Sequence, residues 1–81
     1  MLNPATDKRL SPPEREMYLR VYPVIQKIED EFGVEMSSLV ASNMVRRAVT
    51  RGASIDDLIN ELRYAAKHQA EHNAALRGSA H

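Results

Sequence analysis

Residues 32–47 read FGVEMSSLVASNMVRR, and the architecture turns on how that stretch is parsed. Gly33 stands where a helix needs a residue free to turn left-handed. A serine-rich start, Ser37–Ser38, opens the segment that follows, and Arg46 and Arg47 close it. Read locally, this is two helices meeting at a glycine. It is also roughly how the second half of a DNA-reading helix-turn-helix is written.

On its N-terminal side, SPPE at residues 11–14 announces a helix. Ser11 serves as N-cap, Pro12 fits the first helical position and Glu14 sits where a capping box wants it. At about 100° per residue, Met17, Tyr18, Val21, Val24, Ile25, Ile28 and Phe32 fall within one arc of about 120°. That is the wide apolar stripe of a core-facing helix, and it predicts a helix over 12–32 ending at Gly33. Pro23 lies inside it, removing one backbone bond and crowding the carbonyl of Leu19. Both residues project away from the stripe, so the freed carbonyl can meet water. One helix kinked at Pro23 is expected, with a break near Tyr22 as the alternative.

On the C-terminal side a second helix is expected over 36–51, with Gly52 just past its end. Ala41, Met44, Val45, Ala48 and Val49 share one side, while Met36, Leu39 and Val40 occupy another. A helix apolar nearly all round is either central in the bundle or covered by a second copy of the chain. ASIDDL at residues 53–58 announces a third helix. Ser54 is its N-cap, Ala53 and Leu58 are placed to staple, and Asp56 and Asp57 suit the positive end of the helix dipole. Ile55, Leu58, Ile59, Leu62, Ala65 and Ala66 form a narrow stripe. It then meets Gln69 and Asn73, so a helix over 55–77 has little to bury in its last turns and frays before Gly78.

No strict apolar alternation occurs anywhere, which argues against strands. The expected fold is a small all-α three-helix bundle over residues 11–77, forming a dimer. A flexible segment over 1–10 and a disordered tail over 78–81 flank it. The 81 residues make one domain, of a size at which a single core is marginal and self-association is a common remedy. There is no cysteine, hence no disulfide framework and no thiolate metal site. No apolar run approaches the roughly 20 residues of a membrane span. MLNPATDKRL at residues 1–10 lacks the apolar core of a secretory signal. The expected compartment is the cytoplasm.

The helix-turn-helix reading can be tested over residues 25–45. With Gly33 as the turn glycine, Ile28, Phe32, Val34 and Leu39 fall on positions that should be buried, and all are apolar. Against it, Glu29 falls where a small residue is wanted and Ser42 where a buried aliphatic is wanted. The groove-facing positions would be Glu35, Met36, Ser37, Val40, Ala41 and Met44, which offer none of the Arg, Lys, Asn or Gln that read base edges. Glu29, Asp30 and Glu31 would add repulsion beside the phosphates. Eleven basic and eleven acidic residues cancel, whereas a dedicated nucleic-acid binder carries a basic footprint. Arg46, Arg47 and Arg51 are spread over an arc of about 140° rather than set in one row, as dipole-complementing, solubilising residues are. DNA binding through Ser37, Ser38, Arg46, Arg47 and Arg51 stays as the alternative function.

Little else carries chemistry. His68 and His72 stand four apart on one helix face, but no third ligand is visible, so no metal site is assigned. No glycine-rich phosphate loop and no set of nucleophile, base and orienting group can be assembled, so neither an enzyme nor a cofactor is expected. What remains is surface: an exposed aromatic, Tyr64, with Arg63 and Lys67 nearby, and the surplus apolar side chains of Met36, Leu39, Val40 and Met44. Tyrosine is enriched in interface cores, and methionine-bearing patches suit adaptable helix-groove contacts. These residues predict a regulatory protein, an inhibitor or adaptor of the bacterial or phage accessory kind, that acts by binding another protein.

Overall fold

The computed structural model describes residues 10–79. The segment expected to be flexible over 1–10 and the tail expected over 78–81 lie outside this range except for Leu10, Gly78 and Ser79. Leu10 is buried at 3% exposure, and its carbonyl accepts a hydrogen bond from Arg15 Nη2 at 3.3 Å. Three helices follow: α1 over Pro12–Phe32, α2 over Ser38–Arg51 and α3 over Ile55–Ser79. Among the described residues there is no strand.

α1 begins where its capping signals lie, with the Ser11 N–H donating to Glu14 Oε1 at 3.1 Å. It runs unbroken through Pro23, whose ring is exposed. Tyr18, Val21, Ile25 and Ile28 are its buried residues, with Met17, Val24 and Phe32 packed at the margin. Gly33 ends it in the left-handed region at φ 65°. Its N–H and that of Val34 both turn back to the Glu29 carbonyl, the latter at 3.1 Å, a Schellman-type closure.

α2 starts at Ser38, two positions later than the apolar pattern suggested. The reason is local. Ser37 takes the extended conformation of an N-cap, and its Oγ accepts the Val40 N–H at 3.1 Å. Met36 therefore stands outside the helix. Its N–H donates to the Glu29 carboxylate at 2.8 Å, and its side chain is buried at 7% exposure. Ala41, Ser42, Val45 and Ala48 form the buried face of α2. Gly52 closes it at φ 67°, with Ala53 N–H donating to the Ala48 carbonyl at 2.9 Å and Gly52 N–H to that of Val49 at 3.1 Å.

Ser54 Oγ caps α3 through the Asp57 N–H at 3.1 Å. Leu58, Leu62 and Ala66 are fully buried, while Ile55, Ile59 and Ala65 are half-buried. α3 extends through Gly78 to Ser79, beyond the expected end at 77. Unlike Gly33 and Gly52, Gly78 has no positive φ and so does not act as a stop. Residues 74–78 are exposed, so the last turns of α3 overhang the bundle. One apolar cluster, drawn from all three helices and joined by Leu10, Val34 and Met36, forms the core. α1 packs most extensively on α3, and α2 and α3 share the thinnest contact.

Candidate functional site

That thin α2–α3 contact leaves a groove. One part is an open cleft of about 650 Å³ lined by Val40, Met44, Arg47, Asn60, Glu61, Tyr64 and Ala65. The other is a cleft of about 430 Å³ lined by Glu35, Met36, Ser37, Val40, Ala65 and Gln69. Val40 and Ala65 border both, so the two form one continuous trough. On α2 the wall follows from spacing: Val40, Met44 and Arg47 recur at i, i+4 and i+7 and therefore share a face. On α3, Asn60 with Tyr64, and Glu61 with Ala65 and Gln69, recur at the same interval.

The residues singled out from the sequence distribute as follows. Val40, Met44 and Tyr64 come together in the groove, with Val40 46% and Tyr64 66% exposed. Leu39 is 56% exposed but lines neither cleft. Met36 contributes to the floor of the second cleft but is mostly inside the core, so it is a structural residue more than a free surface one. The sequence assigned Leu39 to a buried position in the helix-turn-helix register, and its exposure overturns that placement.

Arg63 is not part of the groove. Its guanidinium grips Glu31 with two hydrogen bonds of 2.8 Å each and lies over the Phe32 ring, 5.5 Å from the centroid. It thereby ties α3 to the end of α1. The hydrogen bond from Arg63, and then its charge, hold the Glu31 carboxyl below its ordinary 4.5, and the same contacts raise the Arg63 value. Lys67 is exposed and borders neither cleft.

Tyr64 has a neighbour that spacing alone did not bring out. Its hydroxyl lies 2.8 Å from His68 Nε2, and the two rings meet edge-on with centroids 4.6 Å apart. The contact restrains an otherwise exposed aromatic at the groove rim. Among the described residues no group of three or more His, Cys, Asp or Glu side chains is gathered as a metal site would require.

The residues of the alternative DNA-binding set are held as follows. Ser37 is occupied as the α2 cap, and Ser38 is half-buried. Arg46 faces Glu14 at 3.7 Å and Arg51 meets Glu61 at 2.6 Å. Arg46, Arg47, Thr50 and Arg51 nonetheless border one shallow hollow of about 200 Å³, as their common arc of about 140° on α2 allows.

The groove-lining roles of Arg47, Asn60, Glu61, Ala65 and Gln69 were missed from sequence. The i, i+4 recurrence of the α3 residues, and that of Arg47 with Val40 and Met44 on α2, was the available signal, but it reads equally well as an ordinary solvated face. Among the described residues no helix is long and apolar enough to cross a membrane. No family model, no curated protein and no solved structure matches this chain.

Proposed function

We propose that this chain is a non-enzymatic interaction protein, an inhibitor or adaptor, that binds another protein through the groove between α2 and α3. One observation carries the reading. Val40 and Tyr64, two of the large apolar side chains left exposed, flank the same trough, and Met44 and Ala65 continue it inward. A concave apolar strip with a polar rim is what helix-in-groove recognition uses. A tyrosine braced by a neighbouring ring is a suitable anchor. The proposed compartment is the cytoplasm, which suits a chain without cysteine.

The test is Val40→Asp, which puts a charge at the centre of the groove without touching the core. The reading expects self-association or partner capture to be lost while the melting temperature holds. Unchanged assembly state and unchanged capture would dispose of it.

A second reading, duplex DNA binding, draws on the hollow bordered by Arg46, Arg47 and Arg51. It expects salt-dependent binding that disappears when all three are substituted. The ties of Arg46 to Glu14 and Arg51 to Glu61 weigh against it, because they already neutralise two of the three cations. Absence of a mobility shift at about 50 mM salt would remove it.

A further inference from the structure

We propose that the occupant of the α2–α3 groove is a second copy of this chain. The two α2 helices pack antiparallel about a two-fold axis between Val40 and Met44, and Arg47 of each copy meets the Glu35 end of the other. This rests on the groove being a protein-binding site and puts a second copy, in a stated orientation, in place of the different protein proposed there.

The argument begins with charge. Arg47 borders the groove at one end and Glu35 at the other, with Val40 and Ala65 between them. Among the described residues neither side chain has an ion-pair or hydrogen-bond partner, whereas Arg46, Arg51 and Arg63 face Glu14, Glu61 and Glu31. An apolar trough with opposite, unsatisfied charges at its two ends is complementary to itself once turned end for end. That is the requirement of an isologous two-fold contact.

Helical spacing supplies the register. Ser37, Val40, Met44 and Arg47 lie along one line of α2 and are symmetric about its position 42. A two-fold axis there sets Val40 against Met44 of the partner subunit. It sets Arg47 against Ser37 of the partner subunit, with Glu35 of the partner subunit lining that same end. At 1.5 Å per residue, Arg47 lies about 7–8 Å from the axis, so a dyad brings both charge pairs into reach. Tyr64, exposed on the facing wall of the groove, is covered by the same packing. The gain suits a chain whose own core is small.

The experiment is sedimentation equilibrium of the full chain at up to roughly 100 µM, because a dimer's stability depends on protomer concentration. The variants are Glu35→Arg, Arg47→Glu, the two combined, and Val40→Asp, each checked by thermal melting. The wild type is expected to dimerise. Each single reversal creates two like-charge contacts and should weaken association roughly tenfold at low salt. The combined variant restores opposite charges and should return to within about threefold of wild type.

A wild type that stays monomeric overturns the second-copy inference and leaves the groove open to a different protein. A dimer abolished by Val40→Asp but indifferent to the reversals, or not rescued by combining them, overturns the two-fold arrangement alone. A dimer indifferent to Val40→Asp is built elsewhere and overturns the second-copy inference, while the protein-binding reading then stands or falls on capture alone.

Discussion

The carboxylate of Glu29 accepts the main-chain N–H of Met36 at 2.8 Å, across the corner that joins α1 to α2. The carbonyl of the same residue accepts the N–H groups of Gly33 and Val34. One glutamate thus holds three donors on the far side of the turn. Glu29→Ala leaves the partly buried Met36 N–H without its acceptor and should cost about 1–3 kcal/mol in urea unfolding. Glu29→Gln keeps an amide oxygen there and should lose less. Equal losses in the two variants would show that the carboxylate does not hold the corner.

Gly33 and Gly52 sit at φ 65° and 67°, and a Cβ built on either meets nothing within 4 Å. The cost of alanine is therefore backbone strain alone, about 1 kcal/mol at each site. For a domain this small that corresponds to a fall of roughly 4–8 °C in melting temperature per substitution. The corners are far enough apart in sequence and structure that the double variant should show the sum.

The elements were legible because each boundary has a local cause. Ser11 with Pro12, Ser54 with Asp57, and Gly33 and Gly52 act within one helical turn, and the structure uses all of them. Met36 was misread for the opposite reason. Its fate depends on Glu29, seven positions away, and apolar periodicity carries no information about a side-chain acceptor on the preceding helix. Gly78 misled because glycine ends a helix only where it takes positive φ. Of the candidate site, Val40 and Met44 were legible as surplus apolar surface and Tyr64 as an exposed aromatic. That they share one trough, and that Arg63 turns away toward Glu31, depends on how α2 meets α3, which no pattern within either helix encodes.

The Glu31–Arg63 pair predicts a pH dependence. Contact with Arg63 depresses the folded-state value of Glu31 below its ordinary 4.5. The stability it contributes is therefore fully present above that ordinary value and is lost as pH falls through the lower folded one. Wild type and Glu31→Gln should differ at neutral pH and converge in acid once the pH is below the lowered folded-state value of Glu31. A difference that persists unchanged into strong acid would contradict the assignment. Because both side chains are exposed, the difference should also shrink with added salt.

Core and groove should separate under mutation. Leu62 is fully buried, so Leu62→Ala should cost about 2–5 kcal/mol, a large share of the stability of a small domain. Val40→Asp, on the exposed wall, should change the stability of the monomer by roughly 0.5 kcal/mol or less. Urea midpoints measured at high dilution distinguish the two, and a large loss from Val40→Asp would mean that Val40 belongs to the core.

Pro23 is exposed within a continuous α1. Replacing it by alanine restores a backbone donor and removes the clash of its ring with the preceding turn. Pro23→Ala should therefore raise stability by about 1–3 kcal/mol. A fall would mean that the proline sets a bend on which the packing of α1 depends.

The two corner glycines also bear on chirality. Among the described residues they alone occupy positive φ, and they alone lack a stereocentre there. A D-amino acid favours the conformation that strains its mirror image. In a chemically synthesised chain, D-alanine at 33 and 52 should not merely be tolerated where L-alanine is penalised. By restricting the unfolded chain to the conformation the corner needs, each should stabilise the fold by about 0.4–1 kcal/mol over glycine. The bundle would then be a right-handed chain whose two corners are best built from the opposite hand.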